Sequence, residues 1–170
     1  KKDAQKNPNV QQRREEVSAR SEANRKDMEN IALKAKGQIM TKAWVAKCLS
    51  DATEQIEESG RRTSVTSELG CPLAFMKIAH HNGYRQEPHS GGLGYSLPAA
   101  MGIQLAEPET LVFATMGDGS YIFANPTACH QVCEALQLPV ITCVLNNEEW
   151  GAVRHSVTGL YPDGYAAKAN

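Results

Sequence analysis

The chain has 170 residues, 41% hydrophobic, 22% charged and 6% aromatic, with a net charge of -1. That length suits one domain with a real core, and the near-neutral charge gives no global pull toward nucleic acid or an anionic membrane. The composition excludes collagen, coiled-coil and disordered classes, and the five unevenly spaced cysteines exclude a disulfide scaffold and favour a reducing, cytoplasmic setting.

Charge is unevenly distributed. Residues 1–36 hold ten Lys/Arg against six Asp/Glu, a balance of +4, while the remainder carries -5. The first stretch has few large apolar residues and cannot bury enough surface to fold alone. It reads as a polar linker, partly helical over Glu15–Lys36 and otherwise disordered, entering a domain near Gly37. Its interleaved acids favour a solvated segment over a nucleic-acid-binding one. No run approaches the ~20 apolar residues of a membrane span, and no signal peptide is visible at the start of the sequence.

From Gly37 helix and strand patterns alternate. Thr41 can cap a helix whose apolar positions Trp44, Val45, Cys48, Leu49, Ala52 and Ile56 recur at helical spacing, and Gly60 ends it. Thr63–Ser67 reads as a short strand and Pro72–His81 as a short helix. Tyr84–Ser90 fits either pattern. Leu97–Ala106 is predicted helical, with Pro98 in its first turn. Thr110–Met116 is a continuous apolar run, as in a strand buried on both faces. Asn125 and Pro126 open a predicted helix to about Leu136. Pro139–Leu145 reads as a second buried strand, and another helix starts near Glu149. The alternation argues an α/β fold: a doubly wound parallel sheet with helices on both faces.

Open parallel sheets bind ligands at the carboxyl ends of their strands. Two ends stand out here. LVFATM runs into Gly117-Asp118-Gly119-Ser120, and VITCVL runs into Asn146-Asn147. An Asp carboxylate and an Asn carbonyl at adjacent ends suit a hard cation such as Mg²⁺ or Ca²⁺. The flanking glycines let backbone N–H groups approach an anion, and a helix starting after Asn147 adds its positive end. The physical reading is a metal-bridged diphosphate site. Taken alone, an Asp-Gly pair also fits a tight strand-to-helix turn.

The sequence carries more than the tripeptide. Twenty-six residues separate Gly119 from Asn146, and this GDG-to-NN pattern resembles the thiamine diphosphate motif. SGGLGYSLPAAMGIQLAEP upstream and NNEEWGAVRH downstream resemble segments of the acetolactate synthase and benzoylformate decarboxylase branch. The resemblance covers roughly residues 39–170 and identifies the matching part as the C-terminal diphosphate-binding domain.

The resemblance implies roles. Asp118, the Asn147 side chain and the Glu149 carbonyl would bind Mg²⁺. Gly119 and Ser120 would hold the diphosphate, with Trp150 and Gly151 on its other side. The Gly91 carbonyl would meet the aminopyrimidine, and Leu93 would be the apolar wedge that bends the cofactor. Gly70 lies where the family's chain passes the pyrimidine. Glu68 departs from the Asp common there in the synthase branch. The implied activity is decarboxylation of a 2-oxo acid, with or without ligation to a second carbonyl. The family's activating Glu lies in a separate pyrimidine-binding domain, usually from a second subunit, and no segment here matches it, so no catalytic residue is assigned to this chain. The expected whole enzyme is a homo-dimer or tetramer, with no nucleic-acid or membrane partner. The sequence stops 23 residues after Asn147, so 37–170 is expected to be a C-terminally incomplete domain, inactive alone.

Two other readings compete. One is a non-catalytic binding module of the same fold, disfavoured by the intact Asp118 and Asn147. The other is an unrelated nucleotide-binding domain, disfavoured because neither GxGxxG after a strand nor GxxxxGK[ST] occurs. His80, His81, His89, His130 and His155 could suggest a metal cluster with Cys129 and Cys133, but the two cysteines, four apart, read as small core residues packing their helix on the sheet. His80-His81 reads as a helix end rather than as facing substrate near the site mouth, Glu148-Glu149 as charge at a helix start rather than an acid/base pair, and Trp44 as a packing anchor rather than a ligand contact. Arg154 reads as solvated rather than as a carboxylate-steering group.

Overall fold

The computed structural model describes residues 8–37 and 40–169. The first element is α1 (Pro8–Leu33), followed by α2 (Lys42–Glu58), β1 (Thr63–Glu68) and β2 (Tyr84–Gln86). Next come α3 (Ser96–Ala106), β3 (Leu111–Gly117), α4 (Asp118–Phe123) and α5 (Pro126–Leu136). β4 (Ile141–Leu145), α6 (Gly151–Leu160) and α7 (Tyr165–Lys168) complete the chain. The four strands form one sheet in the order β2-β1-β3-β4, and all neighbours run parallel.

Alternation along β1 puts helices on both faces of the sheet. Thr63 donates its hydroxyl to Glu57 of α2 on one side. Thr66, three residues on, bonds Ser96 at the start of α3 on the other. The main core lies between α3, α5 and β3, built from Leu97, Ala100, Val112, Ala114, Met116 and Cys129. α2 begins as the sequence predicts, with Thr41 Oγ1 accepting from the Trp44 N–H at 3.2 Å.

β1 is a buried strand written in polar residues, TSVTSE. Its hydroxyls stay inside because each finds a partner: Thr63 the Glu57 carboxylate, the others backbone carbonyls. Ser64 donates to the Asn82 carbonyl and Ser67 to that of Cys71. Thr66 donates to Ser96 or Phe113.

Several expectations need correction. α1 is helical from Pro8, earlier than Glu15, and is exposed except near its end, where Ala32 and then Ala35 are buried. Pro72–His81 is not a helix. Only Leu73–Phe75 makes a 3₁₀ turn, because the Lys77 N–H leaves the local ladder and bonds Ser50 Oγ of α2 at 2.8 Å. Tyr84–Gln86 resolves as the edge strand β2. Asn125 precedes α5 but makes no side-chain cap; it takes a left-handed turn, φ 54°, between α4 and α5. β4 is not buried on both faces. Among the described residues it is a sheet edge, with Ile141 and Val144 exposed.

Candidate functional site

The carboxyl ends of β3 and β4 open on a cavity of about 640 Å³. Its wall includes Gly117–Ser120 from one strand end and Leu145–Asn147 with Glu149–Val153 from the other. Leu93 and Leu69 close a further side. Parallel pairing of β3 with β4, Gly117 beside Leu145, is what brings the two motifs together.

Asp118 opens α4 directly after β3. The Asn147 amide reaches it: the amide end facing the carboxylate lies 2.9 Å from Asp118 Oδ1 and 2.8 Å from the Glu149 carbonyl oxygen. With its NH₂ group turned inward, Asn147 donates to both. With its oxygen turned inward, three oxygen acceptors converge with no proton between them, an arrangement a hard cation reconciles. The loop that makes this possible is bent at Glu148, φ 60°, where the Glu148 N–H bonds Asn146 Oδ1 at 2.9 Å. Gly151 lets the chain lie against the cluster, since a Cβ there would meet the Asn147 amide and the Glu149 carboxylate, each at 2.9 Å.

Gly119 is buried under Trp150. A Cβ at Gly119 would meet the indole at 2.6 Å, and the indole stands edge-on to Phe123 with ring centres 5.1 Å apart. Ser120 is buried beside it. Arg154 does not face the cavity as a free charge; its guanidinium pairs with the Glu149 carboxylate at 2.9 Å.

Eight of the nine residues assigned by sequence line this one cavity: Leu93, Asp118, Gly119, Ser120, Asn147, Glu149, Trp150 and Gly151. Gly91 does not; it is exposed in the preceding loop, in a left-handed turn with φ 68°. Gly70 also stands outside the cavity wall, which Leu69 forms instead. Gly70 is glycine because a Cβ would meet the β3 backbone at Thr115 and Met116, 2.7–2.8 Å away.

His80 is far from the site in the fold. It is held at the start of β1, with Nε2 2.8 Å from the Thr63 carbonyl and 3.1 Å from Glu57, so neither a helix-end nor a substrate-facing role fits. Among the described residues no group of three or more His, Cys, Asp or Glu side chains is placed to hold a metal. Cys129 packs in the core, as the packing reading expects, and His130 bonds Tyr121. The cysteines are all unpaired. Burial pushes the Cys71 thiol up to about 11, and it raises those of Cys143, Cys129 and Cys133 as well. Among the described residues no helix is long and apolar enough to cross a membrane.

The residue that sequence reading left without a role is Glu68. It is 2% exposed at the end of β1, yet its carboxylate is satisfied. Oε1 accepts the Gly94 N–H at 2.7 Å and Oε2 the Ser96 N–H at 2.9 Å. The available signal was an acid directly after a predicted strand, which demands donors if that strand end is buried.

Comparison with known proteins places the chain in a family. Residues 68–170 match the family model described as thiamine pyrophosphate enzyme, C-terminal TPP binding domain. The mitochondrial acetolactate synthase catalytic subunit of Saccharomyces cerevisiae is 39% identical over 118 residues, which is 64% of this chain and 16% of that one. Benzoylformate decarboxylase of Pseudomonas aeruginosa is 40% identical over 67 residues, 39% of this chain and 12% of that one. A solved thiamine diphosphate-dependent 4-hydroxybenzoylformate decarboxylase from Rhodococcus jostii RHA1 superposes with a TM-score of 0.53 at 29% identity, over 68% of this chain and 22% of that one. The chain thus spans only a small part of the length of these relatives. With more than half of its residues matched, the chain belongs to the thiamine pyrophosphate enzyme family, through the C-terminal TPP-binding domain.

Proposed function

We propose that this chain is the Mg²⁺ and diphosphate-holding part of an enzyme that decarboxylates a 2-oxo acid. The observation that carries the reading is the meeting of Asp118, Asn147 and the Glu149 carbonyl at the rim of the cavity. One carboxylate, one amide oxygen and one carbonyl make a small oxygen donor set, as suits a Mg²⁺ that keeps phosphate and water in its remaining positions. Seating the ion requires the Asn147 amide to present its oxygen. The backbone N–H groups of Gly119 and Ser120 would then hold the diphosphate, Trp150 and Gly151 would bound it on the other side, and Leu93 would support the rings. The Gly91 carbonyl serves the aminopyrimidine in this reading, from the loop just before Leu93.

Thiamine diphosphate held by these residues would supply the electron sink for decarboxylation of a 2-oxo acid. Leu69, Leu93 and Val153 give the cavity an apolar wall that would lower the polarity around that chemistry. In this reading decarboxylation comes first, whichever kind of relative the enzyme follows. Ligation to a second carbonyl is the acetolactate synthase-like variant; release after protonation is the benzoylformate decarboxylase-like one. The proton-moving Glu is expected on a pyrimidine-binding domain supplied by another part of the enzyme, from a second subunit of a homo-dimer or tetramer. Five unpaired cysteines support a reducing, cytoplasmic compartment.

Calorimetric titration of thiamine diphosphate tests the reading, run with Mg²⁺, with EDTA, and on Asp118→Ala. Saturable binding that needs the metal and is lost in the variant is expected. Binding that ignores both EDTA and the substitution would overturn the metal-bridged site.

A further inference from the structure

Among the described residues no hydrogen bond or ion pair joins Glu68 to a residue assigned to metal or diphosphate, yet it is tied to the loop beside them. It sits at the end of β1, nearly fully buried, and spends both carboxylate oxygens on backbone N–H groups of the loop that leads into α3. The Gly94 N–H belongs to the same peptide plane as the Leu93 carbonyl. A 2.7 Å charge-assisted bond to that N–H therefore fixes the plane from which the Leu93 side chain departs. The second bond, to Ser96, holds the other end of the three-residue span, so the span cannot rotate about one pivot.

Gly94 adds a second constraint. Its φ is 90°, and a Cβ there would meet the backbone of Phe123 and Ala124 at 2.8–2.9 Å. The loop is thus pinned between the end of β1 and the end of α4, the helix that carries Asp118, Gly119 and Ser120. Leu93, 38% exposed, projects to the cavity wall from this clamped span.

We propose that Glu68 is a positioning residue that orients Leu93 as the support for the cofactor's rings. It acts through the Leu93–Gly94 peptide and has no part in holding metal or diphosphate. The inference rests on the cofactor reading above. An acid is needed because one side chain must accept from two N–H groups about a helix start; Gln offers one acceptor oxygen and turns its own NH₂ against the second N–H. Asp is one methylene shorter and serves one of the two.

The test uses the full 170-residue chain as wild type, Glu68→Gln, Glu68→Asp, Leu93→Ala and the Glu68→Gln/Leu93→Ala double variant. Val65→Ala is the control for a general loss of stability, since Val65 is buried in the same strand. The first arm needs no ligand: amide hydrogen exchange at Gly94 and Ser96, and the methyl chemical shifts of Leu93. Glu68→Gln is expected to speed exchange at both amides at least tenfold and to move the Leu93 methyls, while Val65→Ala does neither. Unchanged exchange and shifts overturn the proposal, whatever the chain binds.

The second arm compares Mg²⁺-thiamine diphosphate with Mg²⁺-pyrophosphate. Glu68→Gln and Leu93→Ala should each weaken the first at least fivefold and leave the second within twofold. The double variant should be no weaker than Leu93→Ala alone. Equal weakening of both ligands, additive losses, or the same losses in Val65→Ala overturn the positioning role. A wild-type chain that binds neither ligand overturns the cofactor reading, and the ligand-free arm then still decides whether Glu68 orients Leu93.

Discussion

β3 enters the cavity with five of its seven residues buried and continues at once into α4, where Gly119 and Ser120 are buried too. β4 enters it as a sheet edge and continues into an exposed stretch, Asn146–Trp150, before α6 begins. In the proposed metal set the carboxylate comes from the first half and the two neutral oxygens from the second. A fixed charge on a packed strand end would give a preformed anchor. An amide and a carbonyl on an exposed loop would give a clasp whose order depends on what it closes around. In that reading the line between two adjacent strands would divide binding from ordering.

The largest effect should come from striking the anchor. Asp118→Ala is expected to weaken Mg²⁺-dependent thiamine diphosphate binding by more than about a hundredfold, whereas Asn147→Ala costs about tenfold, both by calorimetry. Equal losses would erase the distinction between the halves. The packing contrast is next. Met116, fully buried in β3, should cost about 2–5 kcal/mol when cut to Ala. Val144, exposed on β4, should cost under about 1 kcal/mol by urea denaturation.

Hydrogen exchange sharpens the same line. Adding Mg²⁺ and thiamine diphosphate should slow exchange over Asn146–Gly151 by about tenfold and leave β3 unchanged, because β3 is already packed. Gly119→Ala probes the seam. Its methyl meets the Trp150 indole and must displace it, so emission from Trp150 should shift in a Trp44→Phe background, with a change of a few-fold in affinity.

The smallest effect is on pH. Burial holds the Cys71 thiol near 11, above its ordinary 9.0. Between those values the unfolded chain releases this proton and the folded chain keeps it. Stability is therefore undiminished by Cys71 below about pH 9 and falls as pH rises toward 11. Cys71→Ala should flatten part of that decline in thermal melts.

Much of the site was legible because its chemistry is local. GDG and NN each sit at a strand end, and β3 is apolar enough to be recognised as a buried strand. What could not be read is what other elements impose. Lys77 finds its hydrogen bond on Ser50, so an apolar run of helical look becomes extended chain after one 3₁₀ turn. Val144 and Ile141 have the composition of an interior strand, and only the sheet order shows them at an edge. β1 was recognised despite its polar residues, but Glu68 acquires meaning only when Gly94 and Ser96 are folded against it from 26 and 28 residues away.

α1 has a mechanical consequence. Its 26 residues measure about 39 Å, yet burial begins only near Ala32. The stretch from Pro8 to Arg20 is a stiff boom rather than a tether. Pro8 stands about 20 Å from Glu22, where α1 first lines a groove with Lys47 of α2 and Phe75 of the 3₁₀ turn. Anything joined there inherits a set direction as well as a set distance, and tumbling in solution becomes slower about the axes perpendicular to that boom than about the boom itself.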